Sequence, residues 1–241
     1  MAIPRFRLFA GPNGSGKSTL FNKLRAEGAI HTEFYINADS IEKKIKENGS
    51  FNFNAYGIKV SNKEFLTSIE KSGLYERSVA DVSKLEIKRG VLEIKLKPHE
   101  INSYLSSFVA AYLTEKLIQN KISFCFETVM SHQSKIEIIK KAKKAGYKTY
   151  LYFVTTQSAE LNKARVSMRV LQGGHAVDKQ KITERYIRSL SLLPQAIGLV
   201  DKGYVIDNTE SFKLLCETSH GKATNIANDY PKWLTQYYKP R

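Results

Sequence analysis

The run Gly11-Pro12-Asn13-Gly14-Ser15-Gly16-Lys17-Ser18 fits G-x-x-x-x-G-K-[ST], the Walker A pattern of phosphate-binding loops. Glycines at these positions let backbone N–H groups curl around phosphate oxygens with no Cβ in the way. Lys17 would reach the β- and γ-phosphates, the Ser18 hydroxyl would hold Mg²⁺, and Thr19 completes the nucleotide-binding run. The chemistry implied is nucleotide binding with Mg²⁺. A strand should enter this loop and a helix leave it, its positive dipole end aimed at the anion.

A phosphate loop alone does not separate a motor, a switch and a kinase. Two carboxylates at strand ends narrow the choice. Asp39 lies just past an apolar segment about 20 residues beyond the loop, where open α/β sheets bind ligands. A carboxylate there could take the proton from an attacking hydroxyl. Asp39-Ser40-Ile41-Glu42 is equally a capping-box pattern for the next helix. Glu127 closes the apolar run ISFCF and is followed by Thr128. An acid in that position belongs near Mg²⁺ or the acceptor substrate. The competing reading is that Glu127 or Thr128 only satisfies donors of the following loop.

The stretch RVSMRVLQGGH sets Arg165 and Arg169 four residues apart on one helical face. Gly173-Gly174 ends that helix, and the next helical stretch carries Arg185 and Arg188. Fixed guanidinium groups suit the charge that spreads over a migrating phosphoryl group. His175 could touch phosphate, or could cap or pack.

These groups need a scaffold, and the chain alternates short β-rich runs with longer helical patterns. Strands are expected at Arg5–Ala10, Glu33–Asn37, Ile122–Glu127, Lys148–Thr156 and Gly203–Asp207, the last taken as the final core strand. Helices are expected at Lys17–Ala26, near Ser40–Glu47, at Glu100–Gln119, Gln133–Ala145 and over Ser158–Leu193. Such alternation argues an α/β fold with a central parallel β-sheet flanked by helices. Residues 51–98 break the alternation. Within them Val82–Leu96 alternates charged and apolar residues around Arg89-Gly90, the signature of a β-hairpin. The expected organisation is a single domain over residues 1–241 with an insertion at about 51–98.

Composition excludes several classes. Hydrophobic residues make up 42% and charged residues 25% of the 241 positions, which rules out a disordered or collagenous chain. No apolar stretch approaches the roughly 18 residues of a membrane span. The two cysteines, Cys125 and Cys216, lie far apart, and MAIPRFRLFA carries no signal-peptide pattern, so a reducing, cytoplasmic setting is expected. The formal charge of +15 favours a phosphate-rich ligand or a polyanion. The lysines of Lys140–Lys144 and the aromatic-basic tail from Lys232 to Arg241 motivate an alternative, a polynucleotide 5′-hydroxyl kinase that holds single strands by stacking. A solvated lysine face is the simpler reading of the first of these. A non-catalytic ATP-binding module is the third possibility.

Taken in order, GPNGSGKST, INADSI, FCFETVMS, RVSMRVLQGGHAVDKQKITERYIRSLSLLPQAI and VIDNT resemble the zeta-toxin family of P-loop kinases. The resemblance implies a P-loop NTPase fold with an adenylate-kinase-like core, ATP and Mg²⁺, and a small hydroxyl-bearing acceptor, in the family a UDP-N-acetyl amino sugar. An antitoxin protein is a further partner it implies. By position, Lys17 matches the phosphate lysine, Ser18 the metal-facing hydroxyl and Asp39 the family's base. Glu127 and Thr128 match the substrate-side strand end, and Arg165 or Arg169 would contact the ATP phosphates. Arg185 matches a further arginine more loosely. Asn208 would lie near the adenine or shape the turn. The hairpin at Val82–Leu96 has no counterpart in short members of the family.

Overall fold

Every residue of β1 (Arg5–Ala10) from Phe6 onward is buried, the pattern of a strand covered on both faces. In this computed structural model, which describes residues 2–31, 34–174 and 177–241, β1 leads through the glycine-rich loop into α1 (Lys17–Ala26). The chain divides into two compact units, one of residues 1–33 and 125–241, the other of residues 34–124.

The first unit continues, after the intervening unit, with β6 (Phe124–Thr128), α6 (Ser134–Lys144), β7 (Lys148–Thr155), α7 (Ala159–Leu171) and α8 (Lys179–Leu199). It ends with β8 (Lys202–Asp207), β9 (Lys213–Ser219), β10 (Lys222–Ile226) and the short α9 (Lys232–Thr235). Its strands lie in the order β10-β9-β8-β7-β1-β6. β1, β7 and β8 are parallel, with Phe6 opposite Thr149 and Val154 opposite Ile206. The result is a mixed α/β fold around a central, mostly parallel sheet, as the alternation predicts. Parallel strands bring their C-terminal ends to one edge. The phosphate loop, Glu127-Thr128, Thr155-Thr156 and Asp207-Asn208 therefore gather there.

Two expectations are corrected. Gly203–Asp207 is not the last strand of the sheet, because β9 and β10 add antiparallel to β8. Their connection is His220-Gly221, with φ of 49° and 79°, a two-residue turn whose left-handed geometry was legible as His-Gly but unsupported by strong alternation. The second concerns α8, which runs through Pro194 to Leu199 instead of stopping at Leu193. Leu190, Leu193 and Ile197 form one buried stripe, and its burial outweighs the hydrogen bond that proline removes.

The second unit contains β2 (Phe34–Ile36), α2 (Ala38–Asn48), β3 (Ser50–Asn52), α3 (Asn62–Glu70), α4 (Gly73–Ser78), β4 (Leu85–Lys88), β5 (Val91–Ile94) and α5 (Ser103–Gln119). β4 and β5 form the expected hairpin around Arg89 (φ 50°) and Gly90 (φ 78°), and β3 pairs with the other edge of β5. Aromatic side chains knit the helices of this unit to the segment after β3: Tyr112 of α5 meets Phe53 at 5.6 Å and Phe65 of α3 at 5.3 Å. α5 also packs on α2 and α4, so this unit reaches beyond 51–98 on both sides.

The edge of the sheet opposite the phosphate loop is locked by Asp201. Its Oδ2 accepts from Thr149 N at 2.7 Å and Thr149 Oγ1 at 2.9 Å. Burial alone would push the Asp201 carboxyl up, but those two bonds, with Lys143 and His220 alongside, hold it below the usual aspartate range. A depressed carboxyl stabilises the fold above its unfolded pKa of about 4, and that contribution is lost as pH falls through the folded value. Asp201→Ala should lower the unfolding free energy by about 1–3 kcal/mol at neutral pH, with the difference shrinking in acid. Urea midpoints at pH 7 and pH 3 measure both parts; an unchanged midpoint at pH 7 would remove the lock.

Candidate active site

Gly11 leaves β1 with φ of 138°, and a Cβ there would lie 1.9 Å from Val154 O of the neighbouring strand. Only glycine fits so close a backbone approach. Gly16 caps α1 in the left-handed conformation (φ 97°) and supplies no side-chain cap. The first amides of α1 thus stay available to an anion. Lys17 is buried to 7% exposure, and its Nζ donates to Pro12 O at 2.9 Å across the mouth of the loop. Asn13 Oδ1 and Ser15 Oγ are buried with no hydrogen-bond partner among the described residues. Unpaired polar atoms inside a glycine cradle suit a polar occupant, and a triphosphate fits that chemistry.

Ser18 Oγ donates to Glu127 Oε2 at 2.8 Å, joining the start of α1 to the end of β6. A hydroxyl and a carboxylate oxygen are hard donors of the kind Mg²⁺ takes beside phosphate oxygens. Thr128 behaves differently from its neighbour: its Oγ1 accepts from Met130 N at 3.2 Å and shapes the next turn. Of the two readings for this strand end, the loop-satisfying role falls to Thr128, and Glu127 reaches the phosphate loop. Thr19 is exposed in the first turn of α1.

The end of β8 braces the same loop. Asn208 N donates to Thr155 O at 2.8 Å, and Asn208 Nδ2 donates to Ser15 O at 2.8 Å. Arg165 then clamps this turn, its two terminal nitrogens donating to Asn208 O at 2.7 Å and Thr209 O at 2.9 Å. Arg165 is therefore engaged by backbone carbonyls. Arg169 is exposed near the C-terminus of α7. On α8, Arg188 pairs with Glu184 at 3.5 Å on the surface, while half-buried Arg185 makes no hydrogen bond or ion pair among the described residues. His175 lies outside the described residues.

Asp39 is the second residue of α2, in the other unit. The capping-box alternative is not what the helix uses. Asn37 is the N-cap, its Oδ1 accepting from Asp39 N at 2.8 Å and Ser40 N at 3.2 Å. Glu42 turns away to Lys46 Nζ at 2.6 Å and Ser106 Oγ at 3.3 Å. The Asp39 carboxylate is exposed and not needed to cap its own helix.

Sequence reasoning missed a buried support beneath the loop. Thr156 Oγ1 donates to Asn162 Oδ1 at 2.8 Å, and Tyr186 OH donates to Thr156 O at 2.7 Å. Burial pushes the Tyr186 hydroxyl up, so it remains a donor. Asn162 O stands 2.7 Å from where a Gly14 Cβ would be, so α7 fixes that part of the loop by contact. A signal existed: Asn162 sits between Ala159 and Val166 on the apolar stripe of α7, where a polar residue is out of place.

Some residues of the features that suggested a polynucleotide also serve the fold, while Lys140, Lys141, Lys143 and Lys144 stay exposed. In the tail, Leu234 and Tyr238 are buried, Tyr230 OH donates to Tyr238 O at 3.0 Å, and Ala223 N donates to Arg241 O at 2.7 Å. On α6, Ala142 is buried with Ile136 and Ile139, while Lys140 meets Glu137 at 2.9 Å and Lys143 Nζ donates to Leu199 O at 2.7 Å. Among the described residues, no helix is long and apolar enough to cross a membrane.

Comparison with known proteins agrees with this layout. The Zeta toxin family model matches residues 99–214, which include Glu127, both arginine-bearing helices and Asn208. An uncharacterized protein of Haemophilus influenzae is 33% identical over 69 residues, 29% of this chain and 49% of that protein. A chain of the native AvrRxo1-ORF1:-ORF2 crystal structure shares the fold with a TM-score of 0.62 at 12% identity, covering 100% of this chain and 65% of that one. For the AvrRxo1-ORF1:-ORF2 structure with ATP the score is 0.59 at 13% identity, over 94% of this chain and 61% of that one. A chain from the PezAT chromosomal toxin-antitoxin system of Streptococcus pneumoniae scores 0.54 at 13% identity, over 92% of this chain and 75% of that one. At such identities the structural likeness is one of fold. This chain spans less than two thirds of the AvrRxo1 chains and about half of the Haemophilus protein. Over residues 99–214, just under half of its length, the chain is similar to the zeta-toxin family.

Proposed function

We propose that this chain is an ATP-dependent kinase that transfers the γ-phosphoryl group to a hydroxyl of a small acceptor. The observation that carries the reading is the 2.8 Å bond from Ser18 to Glu127 at the end of a glycine cradle. That pairing puts an acid and a metal-facing hydroxyl together at the head of α1. Lys17 and the first amides of α1 offset the charge of the phosphoryl oxygens, and Arg169 and Arg185 add cationic charge. Asp39 takes the proton of the acceptor hydroxyl as it attacks. Arg165 and Asn208 position the loop. Ser18, backed by Glu127, would hold Mg²⁺, which supplies charge neutralisation at the phosphates.

The acceptor we favour is a UDP-N-acetyl amino sugar, and the partner an antitoxin protein, in a cytoplasmic setting. Similarity to the zeta-toxin family model over residues 99–214 supports the first. Likeness of fold to a chain of a toxin-antitoxin system supports the second. Transfer of label from γ-labelled ATP into separate pools of UDP-sugars, mononucleotides and single-stranded oligonucleotides tests the assignment, with Lys17→Ala as blank. Label in a UDP-amino sugar is the expected result. Label in the oligonucleotide pool alone would replace the small acceptor by a polynucleotide, and no label above the blank would sink the kinase reading.

The Ser18–Glu127 contact yields its own prediction. Glu127→Gln keeps an oxygen for the Ser18 hydroxyl but removes the charge behind the metal position. The Mg²⁺ concentration for half-maximal turnover should rise about 10–100-fold, the usual cost of losing a partner behind a metal ligand. Turnover against Mg²⁺ at saturating ATP measures it. An unshifted curve would move Glu127 away from the metal.

A further inference from the structure

Between Asp207 and β9 the chain makes a short loop that touches the start of α1. Phe212 stands on it. A Cβ placed on Gly16 would come within 3.4 Å of Phe212 Cζ, so the ring edge lies against the residue that caps the phosphate-binding helix. The ring is half-buried and meets no other aromatic ring among the described residues. Phe9, in the core of this unit, is by contrast fully enclosed and stacked on Tyr152 at 4.8 Å. Phe212 is neither. A part-exposed apolar ring thus lies against Gly16, in the cradle that the phosphates would fill.

The backbone beside that ring is already occupied. Asn208 O and Thr209 O each accept from Arg165, Asn208 N donates to Thr155 O, and Thr209 N donates to Asp207 Oδ1 at 2.9 Å. These are the groups with which a loop normally reads the edge of a nucleobase, and here they serve the brace on the phosphate loop. Beside those engaged groups, the Phe212 ring offers a base an apolar surface. Stacking on a ring tolerates any base, because every base has a π-face.

We propose that Phe212 is the wall on which the base of the donor nucleotide packs, and that this kinase holds its donor by the base's face with little discrimination between adenine and guanine. The proposal rests on the phosphate-donor reading above and adds the specificity of its nucleoside side. Arg165 is then a positioning residue, since it acts on the nucleotide through Asn208 and the loop.

The test is calorimetric titration of the full chain with ATP, GTP and inorganic tripolyphosphate, in the native protein and in Phe212→Ala, Phe212→Trp and Lys17→Ala. Loss of one stacking ring should weaken ATP and GTP by roughly ten- to a hundredfold. Tripolyphosphate should bind Phe212→Ala as it binds the native protein, and Phe212→Trp should restore ATP affinity. In the native protein GTP should bind within roughly tenfold of ATP. Tripolyphosphate separates the two layers of the argument. If it binds and depends on Lys17, the phosphate cradle stands whatever Phe212 does. Unchanged ATP affinity in Phe212→Ala overturns the wall. So does an equal loss of ATP and tripolyphosphate in that variant, which marks a structural ring, and so does rejection of GTP by the native protein. Failure of the native protein to bind tripolyphosphate or ATP removes both the cradle and the wall.

Discussion

Asp39→Asn is expected to lower kcat by about 10²–10⁴-fold, the range for removing a general base, while the affinity for ATP stays as it is. The local structure makes this a clean substitution. Helix α2 is capped by Asn37, whose side chain serves the amides of Asp39 and Ser40, and Glu42 is tied to Lys46 and Ser106. Nothing in that arrangement needs the Asp39 carboxylate. The charge does interact favourably with the N-terminal end of the helix, for about 0.3–1 kcal/mol, so a slight fall in stability is the only structural consequence. Single-turnover phosphoryl transfer with ATP in excess, beside an ATP titration, separates the two effects. A variant with native turnover would transfer the base role elsewhere. A variant that lost ATP binding would show that Asp39 had served the nucleotide.

How much of this could be read before the structure depends on the range of the interaction. Segments whose burial is set by their own residues were legible nearly to the residue: Arg5–Ala10, Lys17–Ala26 and Lys148–Thr155 announce themselves by apolar runs or by the loop pattern. The left-handed turn at Arg89-Gly90 was legible because alternation surrounds it, whereas His220-Gly221 joins strands whose pattern is mixed, and the β9–β10 hairpin went unread. At the site, residue types predicted membership but not partnership. Glu127 and Thr128 are adjacent and both polar, and only the pleat of β6, which sends neighbours to opposite faces, decides that one meets Ser18 and the other a turn amide. Arg165 and Arg169 look alike in sequence. Their surroundings part because Asn208 and Thr209, more than forty residues away, each bring a carbonyl to the first of them. Long-range pairing of that kind leaves no local trace. Asn162 did leave one, a polar residue on an apolar stripe, and such an anomaly is the sequence signal for a buried polar support.

Lys17→Ala should abolish transfer by a different route, lowering kcat by about 10²–10³-fold and weakening ATP as well. Lys17 is nearly enclosed, and its ammonium bonds to Pro12 O inside its own loop. A buried cation contributes little to stability once its desolvation is counted, and removing it leaves a backbone carbonyl short of one donor, a cost of about 1–3 kcal/mol set against the relief of burying the charge. The melting temperature should therefore move little while activity collapses. Lys17→Arg should fail to rescue, because a planar fork cannot take the place of a compact ammonium that is nearly enclosed and bonded to Pro12 O. The contrast with Asp39→Asn is what gives the pair its force. An ATP-binding module without catalysis would be damaged by the lysine change and indifferent to the aspartate change. A kinase must respond to both, losing binding and turnover with the first and turnover alone with the second.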